Sequence, residues 1–324
     1  MRGDRPEMRA AVIAAPGRAR VTHLARPEPG AGEVLVRIEG CGVCGSNAPV
    51  WEGRSWFEYP QPPGTPGHEG WGRIEALGPD VAGVAEGQRV ALLSYRAFAE
   101  YDVAPADAVV PLPPSLDAVP FPGEALGCAL NVSRRSGFGP GQVVAVVGVG
   151  FLGALVVQRA AHAGASVIAI SRRASSLEVA RRFGAAETIA LGDRRAVVER
   201  VMALTGGQGC DVVVEAAGLQ EPLDVAGELT RERGRLVIAG YHQDGPRQVD
   251  LRLWNWRGLD VINAHERAPA AYVAGMREAV DVVARGELDP TPLFTHSFPL
   301  DRIGDALRTL QERPAGFMKA LVLA

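Results

Sequence analysis

Four short stretches of this 324-residue chain combine side chains that bind metals, move protons or hold phosphates. Cys41-Gly-Val-Cys44 runs directly into Gly45-Ser46-Asn47. Gly67-His68-Glu69-Gly70 sets an imidazole beside a carboxylate between glycines. Gly123-Glu124-Ala125-Leu126 puts a carboxylate at the head of an apolar run, and Gly148-Val-Gly150-Phe151-Leu152-Gly153 follows another. Thiolate, imidazole and carboxylate are the usual zinc ligands. Taken alone, Cys41-x-x-Cys44 fits two buried thiols, half a structural zinc knuckle, a redox pair or a single ligand; no second Cys-x-x-Cys follows it. Glu124 could equally favour a helix dipole, and Ser46 could cap a helix.

The glycine stretch is the most explicit. Val143 to Val147 is apolar and β-branched, as a strand buried on both faces of a parallel sheet is. Gly148 allows a tight turn, Gly150 lets backbone approach a pyrophosphate, and Gly153 lets a helix pack close to the strand. Phe151 and Leu152 open that helix, whose free N–H groups face the phosphates. The next strand ends in Ser171-Arg172-Arg173. NAD-specific sites carry Asp or Glu where Ser171 stands; serine cannot repel a phosphate and two arginines can bind one. The pattern therefore favours NADP(H) over NAD(H).

The elements that position these groups fall into two kinds. Residues 9 to 125 are β-rich and cut by glycine and proline, with strands at Val34–Ile38 and within Gly87–Leu92. From Gly141 strands at 143–148, 166–171, 211–215 and 235–240 alternate with helices near 152–163, 174–183 and 194–204. That alternation predicts a doubly wound parallel sheet. A helix from Ala271 to Arg285, a strand at Phe294–Pro299, a helix at Ile303–Gln311 and a terminal strand at Met318–Leu323 complete the chain. The predicted α/β fold has a catalytic domain over 1–125 and 262–324 and a dinucleotide domain over 126–261.

A net charge of −3 gives no sign of a nucleic-acid surface. No apolar run reaches the roughly 18 residues that span a bilayer. The opening MRGDRPEMRAAVI is too polar for a signal peptide. Four cysteines are too few for a disulfide scaffold, so a cytoplasmic, reducing location is expected.

Order and spacing of the four stretches resemble the zinc-dependent medium-chain dehydrogenase/reductase family of alcohol and polyol dehydrogenases, over nearly the whole chain. The resemblance implies a GroES-like β-rich catalytic domain joined to a Rossmann domain. It implies Cys44, His68 and Glu124 as ligands of one catalytic zinc; Cys128 is nearby but faces elsewhere if Leu126 to Val132 is helical. Glu69 matches a carboxylate that approaches the zinc in some members, and Ser46 a proton carrier. Ala217, Gly240, Tyr241 and Lys319 match cofactor positions, and His242 lies beside Tyr241. Leu92 runs through Ser94-Tyr95-Arg96 to Phe98 without a cysteine, so the lobe that binds a structural zinc is absent. The family's histidine-orienting Asp is here Asn47, and Pro49 replaces a relay histidine. Trp51 and Trp56, with Tyr241, are candidate pocket residues for a bulky or ring-shaped alcohol or carbonyl substrate; Trp254 is a weaker one. Leu251 to Asn263 resembles the strand by which family members pair edge to edge, so a homodimer is expected, with a tetramer as the alternative. Two rivals are a zinc-free NADPH-dependent reductase of the same fold and a non-enzymatic nucleotide-binding protein.

Overall fold

The structure, a computed structural model, describes residues 6–324. Two compact units emerge: the chain to Gly127 together with Arg267–Ala324, and Cys128–Glu266.

The first unit opens with a hairpin of β1 (Glu7–Ala15) and β2 (Arg18–Ala25). The central strand is β3 (Glu33–Gly42), whose Val34, Val36 and Ile38 alternate into the core. A helix, α1 (Ala48–Glu52), follows, then β4 (Glu69–Leu77), β5 (Arg89–Leu92), β6 (Tyr101–Pro105) and β7 (Val109–Pro111). The helix α2 (Gly123–Ser136) begins in this unit.

The second unit runs β8 (Val143–Val147), α3 (Phe151–His162), β9 (Ser166–Ser171), α4 (Ala174–Arg182), β10 (Glu187–Ala190) and α5 (Arg194–Leu204). It continues with β11 (Cys210–Glu215), α6 (Gln220–Leu229), β12 (Thr230–Ile238), α7 (Leu251–Arg257) and β13 (Asp260–Asn263). The strands lie parallel in the order β10-β9-β8-β11-β12-β13. The chain therefore winds one way from β8 and the other way from β11, and the switch point lies between them.

The first unit resumes with α8 (Pro269–Ala284), β14 (Phe294–Pro299), α9 (Ile303–Glu312) and β15 (Lys319–Leu323). The spacing of Ile303, Ala306, Leu307 and Leu310 in α9 gives one apolar stripe, and all four are buried. Strands β14, β15, β3, β4, β5 and β7 form a sheet in that order, and β6 pairs with the far part of β3.

Three local expectations change. β10 was not foreseen, because four half-exposed residues at a sheet edge carry too little apolar pattern. β12 starts at Thr230 instead of 235. The run from Leu251 to Asn263 is not one strand: Asp250 caps α7 by accepting from Leu253 N–H, and only Asp260–Asn263 adds to the sheet edge.

Candidate active site

The pairing of β3 with β4 sets Gly42 opposite Glu69 and Cys41 opposite Gly70. Cys44, two residues past the end of β3, and His68, one residue before β4, thus meet at one end of the sheet. A ligand atom from each of Cys44, His68 and Glu69 lies within 4.8 Å of the others. Glu124 is not part of that set.

A single backbone carbonyl orients the imidazole. His68 Nδ1 lies 2.8 Å from the Pro66 oxygen, so Nδ1–H donates there and Nε2 keeps its lone pair for a metal. Asn47 makes no hydrogen bond to His68, contrary to expectation. Its Oδ1 accepts from Cys44 N–H at 2.9 Å and its Nδ2 donates to the same Pro66 oxygen at 3.2 Å. Asn47 is buried and ties the two ligand loops together. Ser46 Oγ stands 3.5 Å from His68 Nε2.

Behind the ligands lies a buried ion pair. Lys319 Nζ donates to Glu69 Oε1 at 2.6 Å and lies 2.5 Å from Oε2, which takes no hydrogen bond of its own. Glu69 is 1% exposed and Lys319 4%. Gly42 makes room for them, since a Cβ there would stand 1.9 Å from Glu69 Oε2. Lys319, expected at a cofactor phosphate, is thus held by Glu69 inside the first unit.

The charges fit a divalent cation. Burial alone would lower the His68 pKa, but the Cys44 thiolate, then Glu124 and Glu69, raise it to about 10. Burial would likewise lower Lys319, and Glu69, then Cys44, raise it. In a metal-loaded site, with His68 neutral, Cys44 a thiolate and Glu69 and Glu124 carboxylates against the Lys319 ammonium, the formal charge would be −2, which Zn²⁺ would balance. A thiolate, a neutral imidazole and a carboxylate are a donor set that zinc accepts.

Other candidates sort by burial. Cys41 is in the core, where desolvation and then Glu69 push its thiol pKa well up, so it stays protonated. Glu124 is buried in the first turn of α2, near enough for its charge to act on His68 and Lys319. Cys128, one turn further along α2, is half-buried and outside the ligand set. Trp51 is no pocket residue: α1 turns it into the core at 3% exposure. Trp254 packs against the core of the second unit. Trp56 is exposed, with its ring 5.9 Å from that of Phe57.

Tyr95 stands in no motif of the sequence. Its exposed ring lies 6.2 Å from the His68 ring, centroid to centroid. Asp102 holds this turn by accepting from Arg96 N–H at 3.2 Å and Val103 N–H at 2.8 Å. Ala97 N–H bonds Gly67 O and Phe98 N–H bonds Gly64 O, so the turn is pinned to the loop that carries His68. The signal available was the cysteine-free run from Leu92 to Phe98.

In the second unit the glycine stretch makes the anticipated strand-to-helix turn. Gly148 has φ +101°, and Gly150 caps α3 ahead of Phe151, Leu152 and Gly153. Ser171 is buried at the end of β9; Arg172 is exposed, and Arg173 Nη2 lies 3.5 Å from Val149 O. Ala217, Gly240 and Tyr241 follow β11 and β12 at the same edge of the sheet.

The family model for the alcohol dehydrogenase GroES-like domain matches residues 30–114, and that for the zinc-binding dehydrogenase matches 152–283. Human sorbitol dehydrogenase is 26% identical, covering 95% of this chain and 94% of that protein. An alcohol dehydrogenase from Cupriavidus necator is 28% identical, covering 97% and 98%. A chain from Sinorhizobium meliloti 1021, assigned as a zinc-binding dehydrogenase and solved bound to NADP, is 29% identical with a TM-score of 0.85, covering 99% of this chain and 100% of that one. With both domain models on one chain, at similar length to these relatives, the protein belongs to the zinc-type medium-chain dehydrogenase/reductase family, as an oxidoreductase that interconverts an alcohol and its carbonyl compound with NAD(P).

Proposed function

We propose that this protein is a one-zinc, NADP(H)-preferring dehydrogenase of a secondary, polyol or cyclic alcohol. The observation that carries the metal reading is the convergence of Cys44, His68 and Glu69 within 4.8 Å. Cys44 and His68 are two ligands, and Glu69 or Glu124 supplies the third. The absence of a second cysteine group supports one zinc per chain with no structural zinc. The substrate class is supported by the sorbitol dehydrogenase relative. The exposed Tyr95 and Trp56 rings offer apolar faces for a bulky or ring-shaped substrate.

When bound, zinc supplies Lewis acidity at the substrate oxygen and the nicotinamide accepts or returns hydride. The chain's own residues do the rest. Pro66 O holds the His68 tautomer, and Asn47 fixes the spacing of the two ligand loops. Ser46, beside His68, carries the hydroxyl proton outward. The Lys319 ammonium gives the buried Glu69 carboxylate its counter-charge. Gly148, Gly150, Phe151, Leu152 and Gly153 cradle the pyrophosphate, with Ala217, Gly240 and Tyr241 on the nicotinamide side. Arg172 and Arg173 take the 2′-phosphate beside Ser171.

We further propose a cytoplasmic homodimer joined through the β13 edge, with a tetramer as the alternative. No helix among the described residues is long and apolar enough to cross a membrane. The test is metal analysis of the purified protein, joined to a panel of alcohols and ketones assayed with NAD(H) and NADP(H). One zinc per chain and turnover lost in Cys44→Ala are expected. Turnover that survives Cys44→Ala and full metal removal would favour the zinc-free reductase.

A further inference from the structure

The carboxyl end of the parallel sheet carries a polar chain that neither the metal ligands nor the phosphate loop uses. Glu215, the last residue of β11, is fully buried. Its Oε1 accepts from Ala217 N–H at 2.8 Å and Gly218 N–H at 2.7 Å. Its backbone carbonyl accepts from Ala239 N–H at 2.8 Å and Gly240 N–H at 2.9 Å. Its Oε2 lies 2.8 Å from His242 Nε2. Arg247 Nε donates to His242 Nδ1 at 2.8 Å, while its Nη2 donates to Gly218 O at 2.8 Å and pairs with Asp244.

This chain fixes the histidine. A guanidinium only donates, so Nδ1 is a bare acceptor and Nε2 carries the hydrogen given to Glu215. Both ring nitrogens are engaged, and neither is left to take a proton from substrate. His242 therefore acts through what it holds in place. It joins the loop after β11 to the loop after β12, where the two backbones touch. A Cβ on Gly240 would stand 2.2 Å from Gly218 N, and one on Gly218 would stand 2.8 Å from Tyr241 O.

Sheet order says which end of a dinucleotide meets these loops. The switch point lies between β8 and β11. Ser171 and Arg172, at the end of β9, mark the adenine-ribose side. Loops after β11 and β12 lie on the opposite side, with the nicotinamide. We propose that His242, clamped between Glu215 and Arg247, is a positioning residue for the nicotinamide half of the cofactor, because it sets the Gly240–Tyr241 backbone against Gly218. This rests on the NAD(P)-linked reading of the chain.

The test compares wild type with His242→Ala and His242→Gln in the zinc-loaded enzyme. Glutamine can donate to Glu215 through its amide and accept from Arg247 through its carbonyl. Two ligands are titrated: ADP, which has no nicotinamide, and whichever of NADPH and NADH the wild type binds tighter. In His242→Ala, ADP affinity should stay within about twofold. Reduced-cofactor affinity should fall about tenfold, and kcat/KM about 100-fold, as expected when a reacting group is misplaced by about 1 Å. His242→Gln should recover most of both. Unchanged cofactor affinity and kcat/KM in His242→Ala would overturn the proposal. So would an equal loss of ADP and cofactor binding that glutamine does not restore. A wild type that binds neither ligand would overturn the dinucleotide reading, and the proposal with it.

Discussion

Replacing Lys319 with methionine tests the charge logic of the site directly. Methionine keeps most of the side-chain volume and removes the cation. Glu69, 1% exposed, is then left buried without its partner. Breaking a buried ion pair from one side costs about 3–5 kcal/mol. For a unit of this size each kcal/mol lowers Tm by about 2–4 °C, so metal-free Lys319→Met should melt roughly 6–20 °C below wild type. Removing both charges, in Glu69→Gln with Lys319→Met, should restore most of that loss, because no orphan charge remains. Zinc supplies a second check. If the ion takes over as the counter-charge of Glu69, the penalty shrinks in zinc-loaded protein. By the thermodynamic cycle, each 1.4 kcal/mol of shrinkage means about tenfold tighter zinc binding by the variant. The assays are thermal melts of chelated and zinc-reconstituted protein, and zinc competition against a chromophoric chelator. A chelated Lys319→Met that melts within about 2 °C of wild type would refute the reasoning, as would a double variant no more stable than the single.

Substituting Arg172 and Arg173 together by serine should lower kcat/KM with NADPH by about tenfold or more, since each lost charge-assisted bond is worth about 1.5–3 kcal/mol, while NADH values hold. Equal losses with both cofactors would remove the 2′-phosphate role. Asn47→Ala, which cuts the ties to Cys44 N–H and Pro66 O, should weaken zinc about 10–100-fold in chelator competition; unchanged affinity would show that the ligand loops hold their spacing without it. Burial pushes the Asp211 carboxyl up, but Val143 N–H and Arg231 pull its pKa below the ordinary value. A depressed carboxyl stabilises the fold above its unfolded pKa of about 3.9 and loses that contribution as pH falls through the lower folded value. Asp211→Asn should therefore be less stable than wild type near neutral pH, with the gap closing below about pH 4 in denaturant titrations; a gap that persists in acid would contradict this.

Legibility in the sequence followed the range of the interaction. The turn at Gly148–Gly153 is local, and strand, glycines and helix lie within a dozen residues, so its geometry could be read directly. The ligand stretches were visible as residue types, but which carboxylate sits at Cys44 and His68 depends on β3 pairing with β4 in one register. Lys319 was illegible for a stronger reason. It looks like a surface lysine near the C-terminus, and only the pairing of β15 with β3, which sets Leu321 opposite Gly42, carries it to Glu69, 250 positions away. Trp51 misled in the other direction. Aromatic character suggested a pocket, but one turn of helix ending at Gly53 points the ring inward.

The substitution of Asn47 for an aspartate changes where the negative charge of the site comes from. A carboxylate behind His68 would add charge through the ring and strengthen the imidazole as a ligand. Here a carbonyl, Pro66 O, takes the Nδ1 hydrogen, and a neutral amide braces that carbonyl. The anionic share therefore rests on Cys44, Glu69 and Glu124, with Lys319 offsetting one of them. An aspartate at position 47 would carry the formal charge from near −2 to near −3, beyond what one divalent ion balances. Asparagine at 47 and lysine at 319 thus act in the same direction: each keeps the set of anions within what one divalent ion would balance.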